Sequence, residues 1–248
     1  MNDLARRGGS LRTLAIDIGG TRLKASVLDA KGEMTEPPHR VDTPHPATPD
    51  AVLDALLTLI APLGAFDRIS IGFPGVVRHG SVLTAPNLGT EAWRGCSLAG
   101  LLTERLGKPA RMLNDATVQG LGVISGSGLE CVITLGTGMG FALFDDGRPT
   151  PHMELSQHPV HRGKTYDQWI GNAAFHKAGG RRWNKRVRKA IGWIATLVNY
   201  DVLLIGGGNA KNLTGELPSN VHIVPNQAGI TGGIRLWDPA LDALVANA

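Results

Sequence analysis

Apolar residues in this chain come in short runs, and a glycine cluster closes most of them. Leu14 to Ile18 is apolar apart from Asp17 and predicts a buried strand. Leu23 to Leu28 predicts a second, and Gly19-Gly20 between them predicts the tight turn of a hairpin. Ile69 to Phe73 predicts a strand ending in Gly72-Phe73-Pro74-Gly75, and Val76-Val77 with Val82-Leu83 predicts a small hairpin. Further strands are expected at Ala110 to Leu113, Glu130 to Leu135, Phe141 to Phe144, Asp201 to Ile205 and Val221 to Val224. Helical spacing places Val52, Leu53, Leu56, Leu57 and Ile60 on one face, with Asp50 as the expected cap. Other helices are expected from Ser97 to about Leu106 with Gly107 as the stop, and over 116–124, 165–178 and 181–198. Asn226 to the end reads as mostly helical, with Pro239 at a first-turn position. The proline-rich stretch from Lys31 to Pro49 predicts a surface loop or an irregular edge, and residues 1–12 a loose tail.

The order hairpin, helix, strand, helix, strand then recurs. It predicts two α/β lobes, 1–113 and 114–233, with a helix over about 234–248 returning to the first. A single doubly wound domain is the alternative.

Composition narrows this picture a little. The 248 residues, 42% of them hydrophobic, can build a large core in one big domain or two lobes. A net charge of +4 points only weakly to an anionic ligand. Cys96 and Cys131 stand alone with no CxxC or Cys/His cluster, so no structural zinc is expected, and two unclustered cysteines fit a reducing cytosol. No apolar h-region follows Arg6-Arg7 and no apolar run approaches about 18 residues, so neither a signal peptide nor a membrane span is expected, and the expected location is cytoplasmic.

Three strand-to-glycine turns carry the candidate chemistry: Asp17–Thr21, Gly136–Gly140 and Gly206–Asn209. In the first, glycines that reach positive φ would let the backbone approach a ligand, with N–H groups and the Thr21 hydroxyl directed at a phosphate. Asp17 would then associate with Mg²⁺, directly or through water. A plain hairpin with a solvated Asp17 is the alternative. Two lobes carrying such turns could clamp a polyphosphate chain between them.

Taken in order, Ala15-Ile-Asp-Ile-Gly-Gly-Thr21, Gly72-Phe-Pro-Gly75, Leu113-Asn-Asp-Ala116, Thr134-Leu-Gly-Thr-Gly-Met-Gly140, Glu154 with its histidine-rich sequel, Ile205-Gly-Gly-Gly208 and Asn226-Gln-Ala-Gly-Ile-Thr-Gly-Gly233 resemble the ROK family of sugar kinases, and within it the polyphosphate glucokinase branch. The resemblance implies a two-lobed actin-like ATPase (ribonuclease H-like) fold with an interlobe cleft. It implies a hexose kinase acting on the 6-hydroxyl of glucose or a related hexose, with inorganic polyphosphate and/or ATP as donor. It also implies Mg²⁺ and a homodimer, with no nucleic-acid or membrane partner. Asp115 takes the role of general base, although read alone it is a helix N-cap. Asn114, Asp115, Glu154 and Asn87 become sugar contacts. Gly19, Gly20, Thr21, Lys24, Gly136, Thr137 and Gly138 become phosphate-loop residues, and Gly207 and Gly208 lie toward the far end of the donor. The family's Glu-Leu-Gly-His pattern is Glu154-Leu155-Ser156-Gln157-His158 here, so either His158 or Gln157 replaces the sugar-site histidine. The family's zinc-binding cysteines are missing, and His152, His158 and His161 could imitate a metal site but read as solvated loop residues.

Lys177, Arg181, Arg182, Lys185, Arg186, Arg188 and Lys189 crowd one segment, with Arg181, Lys185 and Arg188 at i, i+4 and i+7. A solvated helix face and a track for inorganic polyphosphate are both open. With 5% aromatics and no interleaved stacking pattern, a nucleic-acid track is disfavoured. A sugar-responsive regulator of the same family would carry a DNA-binding helix-turn-helix ahead of the first strand, where only about a dozen residues stand, and would not need Asp115. A chaperone-type ATPase would not need the Asn114, Asp115 and Glu154 set. A kinase is therefore the expectation.

Overall fold

The computed structural model describes residues 11–242. Residues 1–10 of the expected tail (1–12) and 243–248 of the expected last helix lie outside the described residues. The strands are β1 (Thr13–Ile18), β2 (Arg22–Leu28), β3 (His39–Asp42), β4 (Arg68–Phe73), β5 (Val77–Arg78), β6 (Ser81–Val82), β7 (Ala110–Asn114), β8 (Leu129–Leu135), β9 (Met139–Asp145), β10 (Arg148–Pro149), β11 (Pro159–His161), β12 (Lys164–Thr165), β13 (Val202–Gly206) and β14 (Val221–Ile223). The α-helices are α1 (Pro49–Ile60), α2 (Thr90–Trp93), α3 (Leu98–Leu106), α4 (Asp115–Leu121), α5 (Tyr166–Ile170), α6 (Asn172–Ala178), α7 (Gly180–Val198) and α8 (Ala228–Thr231).

Two five-stranded sheets organise these elements, in the orders β3-β2-β1-β4-β7 and β10-β9-β8-β13-β14. The halves repeat one plan. In each, an antiparallel hairpin (β1 with β2, β8 with β9) is extended by parallel strands added beside its first member, β4 then β7 in one and β13 then β14 in the other. Parallel strands buried on both faces need continuous apolar runs, which is why Leu14–Ile18, Ile69–Phe73 and Leu203–Ile205 stand out in the sequence.

Apolar side chains of α1 and α3 cover one face of the first sheet, and those of α5 and α7 cover one face of the second. Between the sheets lies α4. Ala116 through Leu121 are all buried, and Val118 and Leu121 share a core with Val132, Phe144 and Leu236. The chain end closes the same layer: the Trp237 indole donates to Ser70 Oγ at 2.9 Å, and Arg111 donates to Leu236 O at 2.8 Å while its guanidinium lies 4.4 Å from the Trp237 ring centre. Among the described residues no helix is long and apolar enough to cross a membrane.

Several local expectations change. The proline-rich stretch contains the edge strand β3, paired with β2 from Arg22↔Asp42 to Ala25↔His39. An edge tolerates the flanking prolines because only one side of the strand is hydrogen-bonded. Thr48, not Asp50, caps α1, accepting from Ala51 N, and Pro49 takes the first helical position. The expected 165–178 helix is two helices broken at Gly171, where a Cβ would lie 2.6 Å from Thr137 O and 2.5 Å from Asp167 O. The C-terminal segment is α8 followed by 3₁₀ turns at Gly232–Trp237 and Pro239–Leu241, with Asp238 capping the second through Ala240 N. A longer α-helix is interrupted there by Gly232-Gly233 and Pro239.

Because α4 is closed in on all sides, its small residues are fixed by space. A Cβ at Gly120 would sit 2.4 Å from the fully buried Phe144 ring. Gly120→Ala is expected to destabilise the protein by about 1–3 kcal/mol despite its better helix propensity. In contrast, Gly192 in α7 is exposed and meets nothing within 4 Å. Gly192→Ala is expected to stabilise by about 0.5–1 kcal/mol. Thermal unfolding of the two variants, expected to move in opposite directions, checks both.

Candidate functional site

The cleft opens where the two sheets face each other across α4, and its lining encloses about 860 Å³ measured out to open solvent. Each strand-to-glycine turn reaches it. Asp17 comes from the end of β1, Gly19 and Gly20 from the β1–β2 turn, and Gly136, Thr137 and Gly138 from the β8–β9 turn. Gly207 and Gly208 follow β13, Asn114 and Asp115 stand at the start of α4, and Asn87 and Glu154 come from loops. Lys24 also lines it. Thr21 stands beside Thr137, the two hydroxyl oxygens 3.3 Å apart, so the tips of the two turns touch.

Neither Gly19 nor Gly20 has the positive φ expected of it. Space explains both: a Cβ would lie 2.9 Å from Arg22 O at Gly19 and 3.0 Å from Asn87 Cβ at Gly20. Positive φ is instead found at Gly207, where a Cβ would also lie 2.4 Å from Leu135 O.

Hairpin register sets the first charge pair. Asp17 and Lys24 are cross-strand partners, and Lys24 Nζ donates to Asp17 Oδ2 at 2.7 Å. Asp115 is the first residue of α4, its Oδ1 accepting from Ala116 N at 2.8 Å. Burial, then the neighbouring Asp17, pushes its carboxyl up to about 8, with Glu154 adding a smaller upward push. Glu154 accepts a hydrogen bond from Ser156 Oγ. Asp17, Asp115, Glu154 and Asp167 thus put four carboxylates into one cleft beside one lysine.

The N-cap of α4 is Asn114, not Asp115. Its Oδ1 accepts from Ala116 N at 2.9 Å and Thr117 N at 3.2 Å, and its Nδ2 donates to Gly75 O at 3.1 Å and Phe73 O at 3.4 Å. The amide expected to meet sugar hydroxyls is committed to the fold, tying β7 and α4 to the Gly72–Gly75 loop.

His158 is exposed and does not line the cleft, so the expected choice between it and Gln157 takes another form. Gln157 Nε2 donates to Asp167 Oδ2 at 2.9 Å, and Met139 N donates to Asp167 Oδ1 at 2.6 Å. Asp167 therefore belongs to the site, and burial raises its carboxyl pKa. The sequence hides Asp167 as an ordinary acid in the first turn of α5, behind the capping box of Thr165 and Gln168. His152 also lines the cleft, with both ring nitrogens buried and without a hydrogen-bond partner, and burial pushes its imidazole down to about 4. Gln119, Ser156 and Asn226, not expected as site residues, also line it. The three loop histidines are separated, His152 in the cleft, His158 in solvent and His161 in a different groove. Among the described residues no group of three or more His, Cys, Asp or Glu is placed to hold a metal ion.

Losing the Asn114 amide would take the side-chain partner from the Thr117 N–H and the Gly75 carbonyl, while Ala116 N keeps Asp115 Oδ1 and Phe73 O keeps Gly75 N. Asn114→Ala is expected to cost about 2 kcal/mol or more, and to lower the melting temperature by several degrees. Thermal unfolding checks this without any ligand.

The ROK family model matches residues 13–153. Polyphosphate glucokinase of Mycobacterium leprae (strain TN) is 29% identical over 248 aligned residues, spanning 93% of this chain and 76% of that protein. Polyphosphate glucokinase of Mycobacterium tuberculosis (strain ATCC 25618 / H37Rv) is 29% identical over 234, spanning 88% of each. The crystal structure of inorganic polyphosphate/ATP-glucomannokinase from Arthrobacter sp. strain KM superposes with a TM-score of 0.81 at 31% identity, covering 92% of this chain and 97% of that one. A ROK family glucokinase from Streptomyces griseus, in complex with glucose and AMPPNP, shares the fold with a TM-score of 0.73 at 21% identity, covering 91% and 98%. The duplicated lobes are the actin-like ATPase fold, and the chain belongs to the ROK family.

Proposed function

We propose that this sugar kinase transfers the terminal phosphoryl group of inorganic polyphosphate and/or ATP to the 6-hydroxyl of glucose or a related hexose, with Asp115 as general base. The observation that carries the reading is a half-buried carboxylate at the start of α4, its pKa raised mainly by burial, in a cleft shared with glycine turns from both lobes. The polyphosphate glucokinase relatives and the glucomannokinase likeness support the same substrates.

The roles follow from the chemistry of the groups. Glu154 and Asp167 accept hydrogen bonds from sugar hydroxyls, with Asn87 at the rim, and hold the acceptor with its 6-hydroxyl against Asp115. Asp115 takes the hydroxyl proton as the oxygen attacks the terminal phosphorus; the bond from that phosphorus to the bridging oxygen breaks, and the shortened donor leaves with the electron pair. Gly19 N and Gly136 N close the two turns through Arg22 O and Gly138 O, and the remaining N–H groups of the Gly19–Gly20 and Gly136–Gly138 turns, the Thr21 and Thr137 hydroxyls and Lys24 bind donor oxygens. Gly207 and Gly208 let the backbone approach the donor's far end.

A polyanionic donor entering a cleft with four carboxylates is repelled unless cations come with it. The donor set suits Mg²⁺, which takes hard oxygen ligands, one or two carboxylates together with substrate phosphates, and needs no all-protein cage. Asp17 would hold it, directly or through water. When bound, the ion neutralises charge developing on the transferred phosphoryl group.

Initial rates with Mg²⁺ and a panel of hexoses, comparing polyphosphate with ATP, test the reading. Sugar 6-phosphate from either donor is the expected product; none from both would sink the assignment. In free enzyme a protonated Asp115 cannot accept the hydroxyl proton, so kcat/KM is expected to rise as pH increases through about 8. Asp115→Asn is expected to lower turnover by about 10²–10⁴-fold while largely keeping sugar binding. Because the folded pKa lies above the unfolded one, Asp115 supports folding when protonated, and that support is lost as pH rises from about 4 toward 8. The same variant should therefore melt higher than wild type at pH 8–9, with the gap closing near pH 4. Wild-type turnover in Asp115→Asn would refute its role.

A further inference from the structure

A second groove lies on the far side of α5, lined by His161, Arg162, Lys164, Trp169 and, from α7, Arg182, Lys185, Arg186 and Lys189. Of the expected row Arg181, Lys185 and Arg188, only Lys185 lines the groove, joined by Arg182, Arg186 and Lys189 from the positions beside it. Arg188 turns away to donate to Thr214 O. These four positions at i, i+3, i+4 and i+7 face a second set of cations from the β11–β12 hairpin. No carboxylate lines the groove, and among the described residues none of its six lysines and arginines has a salt-bridge partner. Converging like charges without counter-charges is unfavourable, and a bound polyanion relieves it.

Two of the cations, Arg186 and Arg162, are set by local geometry. Arg186 donates from Nη1 to Trp169 O at 3.3 Å and lies 5.9 Å from the Trp169 ring centre, while Trp169 stacks on Trp193 at 4.9 Å. Arg162 occupies the left-handed region with φ 50, followed by Gly163 at φ 74. That is the geometry of a two-residue hairpin turn, whose first position favours Asn or Gly. An arginine held there carries a conformational cost and presents its charge at the groove rim.

The groove is close to the catalytic cleft. Asp167 faces the cleft, and Trp169, two positions on and about 200° around the same helix, faces the groove. We propose that this groove anchors the distal part of a long inorganic polyphosphate chain whose terminal phosphates lie in the cleft. The proposal rests on the reading that the enzyme uses polyphosphate. The groove suits a polymer of bare phosphates better than a nucleic acid, because Trp169, its one large aromatic side chain, is only 6% exposed and offers no open face for base stacking. A short donor lying in the cleft cannot span a helix about 10 Å across, so the groove selects chain length and leaves the chemical step alone.

The test is the triple variant Arg182→Gln, Lys185→Gln, Lys189→Gln. All three side chains are exposed, and Arg186 is left in place. Binding of long-chain polyphosphate is read by tryptophan fluorescence at low and high salt, and initial rates are measured with long-chain polyphosphate, tripolyphosphate and ATP. The variant is expected to bind the long chain at least about tenfold more weakly at low salt, with a salt slope shallower by about two to three. Its rates with tripolyphosphate and ATP are expected to stay within twofold of wild type. Unchanged long-chain binding would overturn the proposal. So would an equal loss with all three donors, which would place these residues in the fold or the cleft, or single-stranded nucleic acid binding as tightly as polyphosphate. If the proposed activity itself fails, wild type forms no product from any donor, while the fluorescence measurement still reads the groove directly.

Discussion

Enclosure of α4 between two sheets is the constraint on which the rest of the molecule turns. Six consecutive buried residues, Ala116 to Leu121, hold the helix so that Asp115 stands half-buried at the cleft floor, and burial is the main cause of its raised pKa, ahead of any single neighbour. The same enclosure dictates glycine at 120 and brings Gly122 against Gly232 of the chain end. It also gives the Asn114 cap a second duty, since its amide reaches the Gly72–Gly75 loop as well as the helix. Stability and chemistry compete at this helix: the environment that makes Asp115 a stronger proton acceptor is one in which its charge is costly.

Electrostatics then divide the molecule into two regions on either side of one short helix. The cleft holds four carboxylates and a lysine already paired to one of them. The groove behind α5 holds six lysines and arginines and no acid. Negative groups suit a neutral sugar and the cations that accompany a phosphate donor, whereas the positive groove suits bare phosphate. Placing α5 between them keeps opposite charges from neutralising each other across the boundary.

Much of this was readable before the structure. Buried parallel strands need unbroken apolar runs and tight returns need glycine, so β1, β4, β8 and β13 and the turns after them are written plainly. The residues brought to the cleft from these turns were found for that reason. Edge strand β3 was obscured because an edge is permitted the prolines that forbid a central strand. Gly19 and Gly20 were recognised for the wrong physical cause, since crowding by Arg22 O and Asn87 is a tertiary fact that a turn pattern does not contain. Asp167 looked like any acid at a helix start, and only folding brings it to Met139 N and Gln157. Among the histidines, spacing in the chain gave no sign that His152 would be buried in the cleft and His158 left in water.

The contact between Thr21 and Thr137 has a consequence in the counting of protons. Two hydroxyls facing each other form one hydrogen bond, because one of them must act as acceptor. A phosphate oxygen placed between them has no proton to give and several lone pairs to offer, so both hydroxyls can donate to it. Exchanging the direct contact for an anionic bridge raises the number of hydrogen bonds at this point from one to two. The two turns are thus already joined at this point, and an anion bound there would replace a weak latch with a stronger one without first having to bring the turns together.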